Sequence, residues 1–205
     1  MVRGLLAFAA GLALSAPLNA GALTVRVVDS AGKPVRDAVV TLYPSTGARA
    51  PKSGGRYVVS QQNLQFHPFL SIVPVGADVA FPSLDNTKHH VYSFSAAKRF
   101  ELKLFAKDQS RTVHFDKPGV VALGCNIHDQ MSAFIVVTDS TWTGRTNAQG
   151  LVAFDPPNSP ARLTVWHPYL RAPGGLMQES IAAGQHIASF SIRLRPPPPT
   201  MPMDY

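Results

Sequence analysis

From residue 23 onward, apolar and polar positions alternate in short runs, separated by clusters of Gly, Pro, Ser, Asn and Asp. A period of two marks strands with one face buried. Leu23–Asp29 alternates well enough for a half-buried strand, Ser30–Pro34 is a turn, and Ala38–Tyr43 is a second strand. Pro44–Arg56, rich in Ser, Gly, Pro and basic residues, reads as a loop or linker. Leu70–Pro74 and Asp78–Phe81 follow, parted by Val75-Gly76, then His90–Phe94, Arg99–Phe105, Thr112–Phe115, Val120–Leu123 and Ala133–Thr138. After Asp139 the pattern gives Val152–Phe154, Leu163–Trp166 and Ser189–Leu194. Many short strands at this spacing predict an all-β sandwich.

Composition sharpens that picture at both ends. The 205 residues suit one large domain or two small ones, and 45% apolar against 15% charged residues suits a packed core. Eighteen prolines and fifteen glycines disfavour long helices. Arg3, the apolar run Leu5–Ala16 and the small residues Ala20-Gly21-Ala22 form the pattern of a secretory signal peptide over residues 1–22. The run is too short to span a bilayer, so the mature protein is expected in the periplasm without a membrane span. Pro196–Tyr205 holds five prolines and reads as an extended or disordered tail. The formal charge of +7 becomes +6 without Arg3 and is spread along the chain. It forms no basic block of a nucleic-acid module, and no nucleic-acid partner is expected.

The candidate chemistry is concentrated in Gly124–Met131, where Cys125, His128 and Met131 stand three residues apart. Cys125 is the sole cysteine, which excludes a disulfide framework, and in an oxidising compartment a free thiol is a liability unless something occupies it. A loop between the strands Val120–Leu123 and Ala133–Thr138 can fold a thiolate, an imidazole and a thioether around one ion. A second imidazole is available upstream, at the start of a strand, from the adjacent pair His89 and His90. Two His, one Cys and a weak Met are the ligand set of a blue-copper electron-transfer site. Neighbours on a strand point to opposite faces, so only one of His89 and His90 should face a metal. His67, His114, His167 and His186 have no partner at ligand spacing, and no His-x-His pair or phosphate-binding Gly motif occurs.

Residues 64–138 resemble a cupredoxin. Val73–Gly76 followed by Val79–Phe81 resembles the strands before the first copper histidine, and Lys88-His89-His90-Val91 resembles the Pro-His-Asn-Val segment of plastocyanins. Phe115–Gly119 resembles the turn before the ligand loop, and Cys125-x2-His128-x2-Met131 matches the short loop of amicyanin-like proteins. The likeness is nearest to bacterial plastocyanin-like proteins labelled methylamine utilisation proteins. It implies a Greek-key β-sandwich over residues 51–138 and one copper ion. His89, Cys125 and His128 would be its strong ligands and Met131 the axial one. His90 stands where plastocyanins have a loop-bracing Asn, so the alignment makes it a hydrogen-bond partner of the site.

The flanks resemble a different family. Val25–Tyr43 is similar to the opening of a carboxypeptidase-regulatory-like (transthyretin-like) sandwich, and Thr146–Gly150 with Val152–Phe154 to its later hairpin. The cupredoxin is thus expected to be inserted in, or packed on, a second small sandwich of residues 23–50 and 139–195. The expected function is a non-enzymatic periplasmic electron carrier serving a redox protein partner, such as a c-type cytochrome or a dehydrogenase. The alternatives are copper storage, delivery or sensing at the envelope, and a binding module whose copper site is vestigial.

Overall fold

The structure is a computed structural model that describes residues 22–196. Apart from Ala22 and Pro196, the export-type segment and the Pro-rich tail lie outside the described residues. Seventeen strands run along the described chain. The first eight are β1 (Leu23–Asp29), β2 (Val39–Pro44), β3 (Tyr57–Val58), β4 (Ser60–Gln62), β5 (Gln65–His67), β6 (Leu70–Pro74), β7 (Ala77–Pro82) and β8 (His89–Ser95). Then come β9 (Lys98–Phe105), β10 (Ser110–Phe115), β11 (Gly119–Cys125), β12 (Ser132–Thr138), β13 (Thr143–Arg145) and β14 (Leu151–Phe154). β15 (Ala161–Trp166), β16 (Met177–Ile181) and β17 (Ile187–Ile192) complete the set. The described residues contain no α-helix, and the one helical turn is a 3-10 turn at Pro173–Gly175. The all-β expectation matches this architecture.

Four of the five sheets stack in layers. The outermost, ordered β14-β1-β17, faces a second ordered β13-β2-β15-β16. Between them lie Val25 and Val27 from β1, Val40 and Leu42 from β2, Leu163 and Val165 from β15, and Phe190 and Ile192 from β17. Alternation explains the choice, since Thr24 and Arg26 take the opposite face of β1. At the other end of the stack, the five-stranded sheet β6-β12-β11-β8-β9 faces the sheet β10-β7-β3. Val79, Phe81, Val113 and Phe115 meet Val91, Val121, Leu123, Cys125 and Ile135 there.

A third, smaller cluster joins the two pairs. Val39 from β2 and Trp166 from β15 meet Leu70 and Ile72 from β6, Val120 from β11, and Phe134 and Val136 from β12. The Phe134 and Trp166 ring centroids are 5.4 Å apart. β2 and β12 are therefore covered on both faces, which is why each reads as a nearly continuous apolar run.

The chain leaves the outer pair of sheets after β2, builds the inner pair from β3 to β12, and returns as β13. β13 lies directly beside β2, with Thr143 opposite Thr41. The two crossings are tied together where the N–H and the hydroxyl of Thr141 both donate to the Arg49 carbonyl, at 3.0 and 2.7 Å.

Alternation does not anticipate five strands. β3 has two residues, and β13 and β16 are short and mostly polar. β4 and β5 form a hairpin that carries a single buried aromatic, Phe66. Its turn residues Asn63 and Leu64 both have φ of 54°. That left-handed pair usually takes an Asn-Gly sequence, so Asn-Leu gives no turn signal.

Candidate metal centre

The site sits at one end of the inner sandwich, where β8, β11 and the β11–β12 loop meet. β8 alternates cleanly. His89, Val91 and Ser93 are buried, whereas His90, Tyr92 and Phe94 face outward. A bulge opposite the start of β8 shifts the register from His89↔Phe105 to Val91↔Leu102 and leaves both inward residues on the core face. On β11, Cys125 is the last strand residue, opposite Val91. Gly124 lies opposite Tyr92, and a Cβ on Gly124 would fall 2.7 Å from the Tyr92 ring, so glycine lets the aromatic lie over this strand.

The loop between Cys125 and β12 is held at both ends. The Asn126 N–H donates to the His90 carbonyl at 3.0 Å, which extends the ladder one residue past the cysteine. The Met131 N–H donates to the His128 carbonyl at 3.0 Å, closing a turn over the last four loop residues. His128 is thereby folded back over Cys125.

Three donors converge. His89, Cys125 and His128 each offer one ligand atom, and these atoms all lie within 4.8 Å of one another. Cys125 Sγ is 3.9 Å from His89 Nδ1 and 3.5 Å from His128 Nδ1. Divalent zinc takes bonds of about 2.0–2.1 Å to nitrogen and about 2.3 Å to sulfur, so donors arranged in a plane around one such ion lie roughly 3.5–4 Å apart. The observed separations fit one first-row metal ion shared by three donors. His89 and Cys125 are buried and His128 is partly exposed, with Ile127 exposed beside it. Met131 is 1% exposed and packs in the same core as Cys125.

The second nitrogen of His89 is committed elsewhere. Its Nε2–H donates to Asp85 Oδ2 at 2.9 Å, which leaves the Nδ1 lone pair toward Cys125. Burial lowers the His89 pKa, the Asp85 hydrogen bond and charge oppose this, and the nearby His128 adds to the lowering. The net result favours the neutral imidazole that a metal requires. Burial pushes the Asp85 carboxyl up, but the N–H groups of Leu64 and Asn63 and the His89 ring together hold it below the usual carboxylate range.

His90 is placed apart from the donors. Its Nε2 pairs with Glu101 Oε1 at 2.9 Å on the outer face of the sheet. The ring is therefore not the hydrogen-bond partner of the site that the alignment implies; the His90 main-chain carbonyl braces the loop instead. His67 is exposed and its Nε2 lies 3.2 Å from the Gln62 carbonyl, while His114 pairs with Asp78 at the surface. His167 is buried in the outer sandwich and His186 is exposed there. Asp85 was not singled out from sequence. The available signal was a carboxylate four residues before a histidine that begins a strand.

No protein-family model matches this chain, and no curated protein matches it. Solved structures similar to it include a purple cupredoxin from Nitrosopumilus maritimus, at 17% identity over 40% of this chain and 99% of that one, with a TM-score of 0.37. A reduced-state variant of amicyanin matches at 22% identity over 48% of this chain and 98% of that one, with a TM-score of 0.38. A Cu-containing nitrite reductase from Thermus scotoductus SA-01 matches at 23% identity over 56% of this chain and 28% of that one, with a TM-score of 0.40.

Proposed function

We propose that this protein is a blue-copper electron carrier of the cell envelope, passing single electrons between redox protein partners. The observation that carries the reading is the convergence of two imidazole Nδ1 atoms on the Cys125 sulfur, at 3.9 and 3.5 Å, in a largely buried pocket. A His2Cys plane with a thioether close by is the donor set of type 1 copper. Structural zinc sites usually close four strong ligands, and a thioether is a poor fourth for zinc. Copper bound there supplies a one-electron Cu(I)/Cu(II) couple.

The protein's residues divide the work. Cys125 and the imidazoles of His89 and His128 would hold the ion, a donor set that suits either charge state of copper. Met131, buried in the same core as Cys125, would be the weak thioether donor. His89 and Cys125 belong to strands β8 and β11, so two donors keep their positions when charge changes. The apolar side chains around Cys125 exclude water from that side of the pocket. His128 alone reaches solvent, and its ring edge is the route by which an electron enters or leaves. No bond of a substrate is made or broken in this role, which makes the protein a carrier rather than an enzyme.

The finer parts of the reading rest on sequence likeness. The export-type pattern of residues 1–22 supports the periplasm as its compartment. The outer pair of sheets is assigned as a carboxypeptidase-regulatory-like module that positions the carrier. The resemblance to plastocyanin-like methylamine utilisation proteins suggests a dehydrogenase or a c-type cytochrome as partner.

The test is copper reconstitution of the purified mature chain, followed by absorption spectroscopy and voltammetry. One copper per chain, an intense visible band and a reversible one-electron couple are expected, and Cys125→Ser should abolish the band. A serine variant that keeps the colour overturns the ligand assignment. Tight copper binding with no reversible couple promotes storage or delivery instead.

A further inference from the structure

Asp85 lies in the connection between β7 and β8, and three groups converge on its carboxylate. Oδ2 accepts from His89 Nε2 at 2.9 Å and from the Leu64 N–H at 3.1 Å, and Oδ1 accepts from the Asn63 N–H at 2.6 Å. The Asp85 side chain is 13% exposed and the His89 ring 0%. The two amides belong to the tip of the β4–β5 hairpin, where Leu64 has a φ of 54° that a non-glycine residue seldom adopts. The same hairpin is pinned beside Asp85 by the Leu84 N–H, which donates to the Gln61 carbonyl at 2.8 Å. One carboxylate therefore links an outlying hairpin to the face of His89 that points away from Cys125.

This arrangement does more than fill space. A buried imidazole N–H without an acceptor is costly, so the neutral ring will take whichever tautomer and flip satisfies it. With Asp85 accepting at Nε2, that choice is made and the Nδ1 lone pair faces Cys125. A carboxylate hydrogen-bonded behind a ligating imidazole also makes the ring a stronger donor. The added negative charge favours the higher charge state of whatever ion the ring holds.

We propose that Asp85 is a positioning residue of the metal centre: held by the β4–β5 hairpin, it locks His89 with Nε2 protonated and biases the site toward Cu(II) over Cu(I). This inference rests on the copper reading above. Its structural half concerns the metal-free protein and stands separately.

The experiment has two arms on the full mature chain. In the first, the nitrogen shifts of His89 are recorded by NMR in the metal-free wild type. An Nε2–H tautomer is expected, and an Nδ1–H tautomer overturns the proposal without any variant having to fold. In the second, Asp85→Asn, which keeps an accepting oxygen but loses the charge, is compared with wild type. Cu(II) affinity should fall by about 10–100-fold, the usual effect of removing such a partner. Cu(I) affinity should fall much less, so the potential should rise, and the Asn63 and Leu64 amides should exchange faster. Equal losses in both oxidation states, with no change in potential, mean a merely structural role and overturn the proposal. Unchanged affinities overturn it as well. If the wild type binds no copper, the electron-carrier reading fails, and the tautomer arm still decides whether Asp85 sets the ring.

Discussion

Replacing Met131 separates packing from ligation. The side chain is 1% exposed within the core that contains Cys125, Ala133 and Ile135. Met131→Leu roughly conserves volume, so the metal-free protein should lose less than about 1.5 kcal/mol of stability. Met131→Ala leaves a cavity and should cost about 2–5 kcal/mol. If the thioether is only a weak axial donor, His89, Cys125 and His128 hold copper without it. Copper affinity in the leucine variant should then stay within about tenfold of wild type, or about 1.4 kcal/mol. The potential should rise, because a donor to the higher charge state is lost and the axial side becomes drier. The visible band should persist. Urea unfolding of the metal-free variants measures the packing part, and chelator competition for Cu(I) with voltammetry measures the rest. A fall of several orders of magnitude in Cu(I) affinity with no shift in potential would refute the reasoning. Met131 would then be a principal ligand, and the protein would be a Cu(I) carrier.

Three further substitutions probe histidines. His89→Ala should remove or strongly weaken copper binding, whereas His90→Ala should keep both copper and the band, since its ring pairs with Glu101 on the outer face; loss of copper in the His90 variant alone would reverse the assignment. Burial lowers the pKa of His167 from the ordinary 6.5, with the Arg36 backbone hydrogen bond and the Asp37 charge opposing it. As pH falls below about 6.5 the unfolded chain takes up this proton before the folded one, so stability is lost down to the lowered folded value and is unaffected above 6.5. His167→Gln should remove up to about 1.4 kcal/mol per pH unit from that slope in urea unfolding of the metal-free protein, and an unchanged slope would refute the assignment.

The strands that pack against a core on one face, such as β1 and β7, were legible because their alternation is also their burial pattern. β12 was legible for another reason, since covering both faces makes its interior, Ala133–Val137, apolar. The ligand loop could be read because Cys125, His128 and Met131 share one short segment, and alternation on β8 restricts a metal to one of two adjacent histidines. The hairpin of β4 and β5 could not be read. Its polar strands are fixed by partners distant in sequence, above all by the Asp85 carboxylate acting on an Asn-Leu turn. The role of Asp85 was hidden for the same reason, since an aspartate in a polar connection becomes informative only when the ring behind it is seen. β16 is an edge strand whose exposed, polar middle carries no period.

The place where the chain departs from the outer sheets and returns has a kinetic consequence. β2 and β13 are neighbours in space but are separated by about 100 residues, and closing a flexible loop of that length costs on the order of 4 kcal/mol of chain entropy. β1 and β17 are further apart still along the chain. Once β3 to β12 have folded and Thr141 has met Arg49, the long excursion acts on the outer sheets as a short turn does on a hairpin. The inner sheets take no strand from beyond Thr138, so they can pair before the outer ones, which are then expected to cover Phe134 and Val136 with Trp166 and Val39. In that order of assembly, damage to the inner core should disturb the outer sheets more than damage to the outer core disturbs the candidate metal centre.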